Sequence, residues 1–184
     1  MMKNTILIIL ILVSTSLWAN DKPLPSCASL RGSSTIKTNQ TLVKQLQAAM
    51  RKHALSQEQR QFCYEQPQET TRTLWSDSAG HPRVYTSEGG SDDHAERKTG
   101  YYDEHGELRS LYIKINDVHG NEDGATIEYD ASGNIICRTV SERLRATDLD
   151  ATELPFHNPK QAFADKAPSR EIPAGQKEGN FCRK

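Results

Sequence analysis

A recurring Asp-x-x-Gly tetrapeptide constrains the fold of this sequence more than any other feature, because Asp and Gly together favour tight turns. Three copies of the motif, at residues 77–80, 103–106 and 130–133, have glycines that are 26 and 27 residues apart. An Asp carboxylate accepts hydrogen bonds from nearby backbone N–H groups, and Gly adopts the positive φ that a hairpin turn often needs. The spacing therefore predicts an antiparallel meander of about six strands over residues 70–145.

Apolar alternation supports the same interpretation. It runs through two consecutive segments: Leu111, Ile113 and Ile115 in the first, and Ala125, Ile127 and Tyr129 in the second. A period of two is typical of a strand with one buried face. Residues 87–99 and 117–124 are polar and contain Gly, so we expect them to be connections.

A helical period precedes the strands. Leu42, Leu46, Ala49 and Met50 recur at helical spacing, which predicts a helix at about residues 40–54. We expect this stripe to pack on the sheet, and a partner-binding helix with the same pattern is the alternative. The sheet face with the densest β-branched residues is the expected contact, namely the face of Ile113, Ile115 and Ile127.

A capping-box pattern follows at residues 56–59, where Ser precedes Gln-Glu-Gln. It predicts a short second helix that carries Phe62 and Cys63, so that residues 38–66 form a helical region. The fold class is accordingly α+β, with the helices packed on an antiparallel meander and an irregular C-terminal tail at residues 146–184.

The first nineteen residues predict export. Lys3 precedes an apolar run from Ile6 to Val13, and small and polar residues lead to Ala19. This order is typical of a secretory signal peptide that is cleaved near Ala19. An uncleaved anchor is the alternative, but the run is short for a bilayer of about 30 Å. Residues 20–184 then form a single periplasmic or secreted domain, with 20–37 as an extended lead-in.

The cysteines fit that compartment. An even number of Cys residues in an exported chain predicts two disulfides, and the four are Cys27, Cys63, Cys137 and Cys182. Three pairings are open. We favour Cys27–Cys63 with Cys137–Cys182, because each bridge would tie a polar end to a patterned segment.

The turn segments also resemble a known repeat. Residues 127–135, Ile-Glu-Tyr-Asp-Ala-Ser-Gly-Asn-Ile, resemble the Y-D-x-x-G-N core of RHS-type YD repeats, and residues 102–108 are a second copy. The same segments are similar to the hairpin repeats of MORN-like antitoxin proteins. The likeness covers residues 70–145 and implies a repeated hairpin fold without any catalytic residue.

Catalytic, cofactor and metal motifs are missing from the sequence. It contains no C-x-x-C, H-E-x-x-H, G-x-S-x-G, phosphate-binding loop or dinucleotide fingerprint. Residues 119–130 follow a calcium-loop rhythm, but His stands at the first ligand position and the final Glu is absent. We therefore expect no metal site and no cofactor.

These observations favour a small exported binding protein: an inhibitor, an immunity-type protein or an accessory envelope factor. The net charge of −1 argues against nucleic acid as a partner, so we expect another protein or an envelope component, and no stable membrane insertion after cleavage. The candidate binding surface is aromatic and comprises Trp75, Tyr85, Tyr101 and Tyr102.

Two other classes of function remain open. The first is an exported hydrolase that uses Asp, Glu and His from the segments 87–99 and 117–124. The second is a structural envelope component. A deep pocket joining the two segments favours the enzyme, whereas an exposed aromatic patch favours the binding protein.

Overall fold

The computed structural model describes residues 24–63, 69–91, 93–141 and 155–164. Within this part of the chain, seven strands form one antiparallel sheet in which each strand pairs with the next. The elements are α1 (Ser34–Arg51), β1 (Ser56–Cys63), β2 (Glu69–Ser76), β3 (Pro82–Ser91), β4 (His94–Tyr102), β5 (Leu108–Asp117), β6 (Glu122–Tyr129), β7 (Ile135–Val140) and α2 (Pro159–Ala164).

The predicted fold class is confirmed, with two helices and an antiparallel meander. The position of the second helix is corrected, because residues 56–63 form β1 and pair with β2 along their whole length. A capping box is a local preference, and here the hydrogen-bond ladder of the sheet prevails over it. The predicted connection at 87–99 is likewise mostly strand, shared between β3 and β4.

The two segments predicted at the ends of the chain, the signal peptide and the irregular tail, lie largely outside the described residues. The predicted signal segment, residues 1–19, lies outside the described residues and stays a prediction. Of the predicted irregular tail, residues 155–164 are described, and they contain α2.

Four hairpin turns in the described chain share one structure, and the sequence pattern identified three of them. The fourth lies at residues 117–120, between β5 and β6. In every case the Asp Oδ1 accepts backbone N–H groups from the residues two and four positions further on, at 2.8–3.1 Å. The glycine of each turn has φ between +78° and +83°. The predicted role of the Asp-x-x-Gly motif is therefore confirmed.

The alternation of side chains gives the sheet two different faces. On one face, Val43 and Leu46 of α1 pack with Val84 of β3 and Tyr101 of β4. The other face carries the larger cluster, which includes residues of α2: Leu74, Tyr85, Tyr102, Leu108, Leu111, Ile113, Ala125, Ile127, Tyr129, Phe156, Ala162 and Phe163.

The predicted contact between α1 and the face of Ile113, Ile115 and Ile127 is wrong. These residues belong to the cluster on the opposite face, whereas Tyr112 packs with the α1 side. An amphipathic helix requires an apolar surface, but the period of two in a strand does not state which face it covers.

The buried stripe of α1 also differs from the predicted one. Leu46 is buried as expected, but the other buried positions are Ile36, Asn39 and Val43. The helix begins earlier than the predicted start at residue 40, and its first residue is Ser34. The added turn supplies Ile36 and Asn39.

The disulfide pairing is also different from the favoured one. Cys27 is bonded to Cys137, with 5.0 Å between their Cα atoms. The predicted pairs Cys27–Cys63 and Cys137–Cys182 are therefore wrong, and Cys182 itself lies outside the described residues.

The lead-in explains this pairing, because it lies along β7. The carbonyl of Pro25 accepts the N–H of Arg138 at 3.1 Å. Thr139 Oγ1 accepts the N–H of Cys27 at 3.0 Å. Spacing along the sequence contains no information about which strand ends beside the lead-in.

The left-handed turn glycines can be tested by substitution. Gly133 has φ +81° and open space where a Cβ would stand, so that Gly133→Ala introduces backbone strain without a clash. We expect the free energy of unfolding to fall by about 1–2 kcal/mol, the cost of a left-handed L-residue. Gly32 also has open space but lies outside the left-handed region, so Gly32→Ala is the control and leaves stability unchanged or slightly higher. Urea unfolding measures the stability of both variants. Equal effects of the two substitutions would contradict the left-handed conformation of Gly133.

Candidate functional site

The four aromatic residues predicted as a binding surface are divided between the two faces of the sheet. Tyr85 and Tyr102 are 2% and 0% exposed and belong to the cluster with α2. Tyr101 is 7% exposed and packs beneath α1, beside the half-buried Trp75. The structure therefore does not bring them together as an exposed patch, and the three tyrosines are buried in the core.

The two polar segments predicted for a hydrolase do meet, at one end of the sheet. The N–H of Val118 donates to the carbonyl of Asp93 at 3.1 Å, and His94 stands opposite Asp117 in the ladder. The Asp117 carboxylate is engaged by its own turn, where Asn121 and His119 donate to it. The hydrogen bonds from Asn121 chiefly hold the pKa of Asp117 below its ordinary value of 3.8.

The described residues contain no group of three or more His, Cys, Asp or Glu side chains placed to hold a metal ion. The turn carboxylates have structural partners in the backbone. At Asp130, for example, the hydrogen bonds from Asn134 hold the pKa below 3.8.

No helix in the described part of the chain is long and apolar enough to cross a bilayer.

A groove of about 720 Å³ lies at the other end of the sheet, between α1 and two of the Asp turns. The N-terminal half of α1 forms one wall, and the turns at 103–106 and 130–133 form the other. The described residues that line it are largely hydroxyl, amide and charged side chains: Ser34, Thr35, Lys37, Thr38, Asn39, Thr41, Leu42, Gln45, Asp103, Glu104, Arg109 and Ala131.

Arg109 fastens the two turns of this groove together. Its Nε–H donates to Asp103 Oδ2 at 2.9 Å, and a second guanidinium N–H reaches the same oxygen. Its Nη1–H donates to the carbonyl of Asp130 in the neighbouring turn. Burial raises the pKa of Asp103, but the hydrogen bonds from Arg109, Glu107 and His105 outweigh it, so that the pKa lies below 3.8. Asp103 is therefore a charged anchor for Arg109.

Asn39 fastens α1 to the sheet directly behind the groove. Its side-chain amide donates to the carbonyl of Arg109 at 2.9 Å and to the carbonyl of Tyr129 at 3.0 Å. The same nitrogen also donates to Glu128 Oε2 at 2.9 Å, so its two N–H groups are shared among three acceptors. Asn39 is 3% exposed, so these contacts are shielded from water. One helix residue thus bonds to β5 and β6 together.

Glu128 is a buried carboxylate, 2% exposed, whose donors are neutral. Ser110 Oγ donates to it at 2.6 Å, Asn39 donates at 2.9 Å, and Tyr112 supplies a further hydrogen bond. Burial raises the pKa of Glu128 above its ordinary 4.5, and these hydrogen bonds offset a part of the increase. Burial, with the nearby Glu128, also raises the pKa of Tyr112 to about 12.

The sequence patterns predicted no role for Arg109 or Glu128. They placed Asn39 as a possible cap at the start of the helix, whereas α1 begins at Ser34 and Asn39 lies buried inside it. One signal for Asn39 was present, since it occupies a position of the buried stripe between Ile36 and Val43. No comparable signal existed for Glu128, because an acidic residue in an alternating strand ordinarily faces solvent. Its burial depends on the position of α1.

Removing the Asn39 amide tests the attachment of α1. Asn39→Ala leaves two backbone carbonyls and the Glu128 carboxylate short of a buried donor, so we expect a loss of about 2–3 kcal/mol in the free energy of unfolding. The neighbouring Thr38 is exposed, and Thr38→Ala is the matched control with a change of under about 0.5 kcal/mol. Thermal and urea unfolding measure both, and a similar small loss for the two variants would refute the attachment.

The raised pKa of Glu128 predicts a pH dependence of stability. The pKa of this carboxyl is about 4.5 in the unfolded chain and higher in the folded protein. Between these two values the unfolded chain has lost the proton that the folded protein still holds. The free energy of unfolding therefore falls as the pH rises across this window. Glu128→Gln removes this dependence, so its stability relative to the wild type increases with pH in that window. The exposed Glu107 supplies the control Glu107→Gln, and urea unfolding from about pH 4 upward measures the slopes. Parallel slopes for the wild type and Glu128→Gln would contradict the expectation.

Comparison with models of protein families, with curated proteins and with solved structures finds no match to this chain. The resemblance to YD and MORN-like repeats therefore stays a prediction. The site rests on the geometry of the chain itself, in which Asn39 and Arg109 build a polar groove from one helix and two turns.

Proposed function

We propose that this protein is a small exported binding protein that holds an extended segment of a partner protein in the groove between α1 and the turns at 103–106 and 130–133. The observation that carries the proposal is the groove itself, a preformed volume of about 720 Å³. That volume is within the range of pockets that bind small ligands.

The lining favours a peptide backbone as the ligand. An extended segment presents one N–H donor and one carbonyl acceptor at each residue. Hydroxyl and amide side chains offer both donors and acceptors, and α1 presents Thr38 and Gln45 to the groove. Lys37 on the helix wall and Glu104 on the turn wall add one charge of each sign. No histidine or cysteine occurs among the described lining residues, and catalysis by a His or Cys therefore has no support here.

Rigidity of the walls supports recognition. The helix wall is attached through Asn39, and the turn wall is held by the pair Arg109–Asp103. Because both walls are fixed before a ligand arrives, binding costs little conformational entropy in the protein. Such preorganisation favours tight binding, as in an inhibitor, an immunity-type protein or an accessory factor.

Export is supported by two independent features. Residues 1–19 have the order of charge, apolar run and small residues that a signal peptide needs. The disulfide Cys27–Cys137 fits an oxidising compartment. We propose that the mature chain begins near Asn20 and acts in the periplasm or outside the cell, which mass spectrometry of the native N-terminus tests.

Site-specific crosslinking tests the groove. A photo-crosslinking residue at Ala131, inside the groove, is compared with one at Ser78, the equivalent position of the turn at 77–80, which does not line it. We expect a partner from the envelope fraction to crosslink at Ala131 and at Gln45 but not at Ser78. Identical products at all three positions would overturn the proposal.

The purified partner then gives a quantitative test. Ala131→Arg places a long side chain in the groove and is expected to weaken binding at least tenfold, about 1.4 kcal/mol. Ser78→Arg introduces the same side chain at the equivalent turn position and should leave the affinity unchanged. Binding that is insensitive to Ala131→Arg would place the partner elsewhere on the protein.

A further inference from the structure

The two edges of the sheet differ in the described chain. At the β7 edge, the lead-in is fastened by the disulfide Cys27–Cys137, and the carbonyl of Pro25 accepts the N–H of Arg138. Ser26 Oγ also lies 3.2 Å from Thr139 Oγ1. This segment covers part of a strand edge that would otherwise present unpaired backbone groups.

The β1 edge has no such cover among the described residues. There, β1 is hydrogen-bonded to β2 in one continuous register over eight residues, and its other side forms the border of the sheet. Gln57, Glu58 and Gln59 are exposed. Bulges, prolines and charged side chains, lysine above all, are the usual means of blocking an edge strand. Residues 56–63 contain no bulge, proline or lysine, and their two charged residues, Glu58 and Arg60, are of opposite sign. A long, regular edge of this kind accepts an added strand.

We propose that β1 is a homodimer interface, where the β1 strand of a second copy pairs antiparallel with it about a two-fold axis at Gln59. In this register Glu58 lies opposite Arg60 of the partner subunit, and Arg60 lies opposite the partner's Glu58. An axis normal to the sheet keeps both side chains on the same face, so two opposite-charge pairs form across the interface. The edge is thus complementary to itself.

Contacts within the chain hold Arg60 in place for this pairing. Its Nη1–H donates to the carbonyl of Ala164 at 3.2 Å, and its guanidinium carbon lies 4.7 Å from the centre of the Phe163 ring. A guanidinium has five N–H donors, so several remain for a carboxylate. Immobilising the side chain beforehand reduces the entropy lost when the pair forms.

A second copy fits this edge better than an unrelated apolar partner does. The strand is polar, and its two charges of opposite sign are placed symmetrically about Gln59. The groove lies between α1 and the turns that join β4 to β5 and β6 to β7, far along the sheet order from β1. Dimerisation therefore leaves the groove open, and the inference does not depend on the proposed function.

Charge exchange tests the interface directly. Glu58→Lys places an ammonium group opposite Arg60 of the partner subunit, and Arg60→Glu places two carboxylates opposite each other, so each variant repels itself. We expect the wild type to dimerise between about 1 and 100 μM, and each variant to dissociate at least tenfold more readily. Mixing the two variants restores opposite charges at both positions, so a heterodimer is expected. Sedimentation velocity measures the wild type, each variant and their mixture, with Glu107→Lys as a charge-matched control away from β1.

Three outcomes would overturn the interface: a wild type that stays monomeric, single variants that dimerise normally, or a mixture of folded variants that remains monomeric. Because Arg60 also contacts α2, Arg60→Glu can fail to fold, which circular dichroism detects. Hydrogen exchange of the wild type then decides the matter. Amide protection of residues 56–60 must rise with protein concentration, and protection independent of concentration refutes the dimer.

Discussion

The fold depends on one repeated arrangement of hydrogen bonds, in which an aspartate carboxylate closes a hairpin turn over a left-handed glycine. Each carboxylate accepts two backbone N–H groups, as at Asp130, where Ser132 and Asn134 donate. A tight turn fixes the register of the strands it joins, and a register shift of one residue would exchange the two faces of the sheet. Four such turns in the described chain therefore decide which side chains meet α1 and which meet α2. The carboxylates in these turns are structural, and their lowered pKa values follow from that use.

The turns at 103–106 and 130–133 have a second role, since they form one wall of the groove beside α1. Arg109 joins the turn at 103–106 to the carbonyl of Asp130, and Asn39 joins α1 to the carbonyls of Arg109 and Tyr129. One chain of polar contacts thus links a helix, two strands and two turns. The groove is the open space at the surface between the helix and the two turns that these contacts hold in place. The same contacts bury the carboxylate of Glu128, which has neutral donors and a raised pKa. Such a group is costly to bury, but it ties the helix to one position on the sheet.

The two edges of the meander require different explanations. A disulfide-linked lead-in covers part of β7, whereas β1 presents a regular and polar border in the described chain. An open antiparallel sheet always has two edges, and unprotected edges associate. A charge pattern that is complementary to itself, such as Glu58 and Arg60 about Gln59, directs that association toward a second copy. The proposed surface for recognition and the proposed surface for self-association then lie at separate places on the described chain.

The sequence by itself determined the tight turns and the two central strands, but not the strand at residues 56–63, where a capping box indicated a helix. Asp and Gly at fixed spacing predicted three turns with positive φ, and the alternation in residues 111–115 and 125–129 predicted strands, because both depend on a few neighbouring residues. The fourth turn, at 117–120, follows the same motif and was available to the same argument. Partners distant in sequence were decided by the tertiary structure: Cys27 with Cys137, α1 with the face of Val84 and Tyr101, and Asn39 with Glu128. A period of two makes two faces without saying which one a helix covers, and loop closure costs depend too weakly on length to select a cysteine pair. The groove was beyond prediction for the same reason, since Arg109 and Asn39 become its supports through contacts that local patterns do not encode.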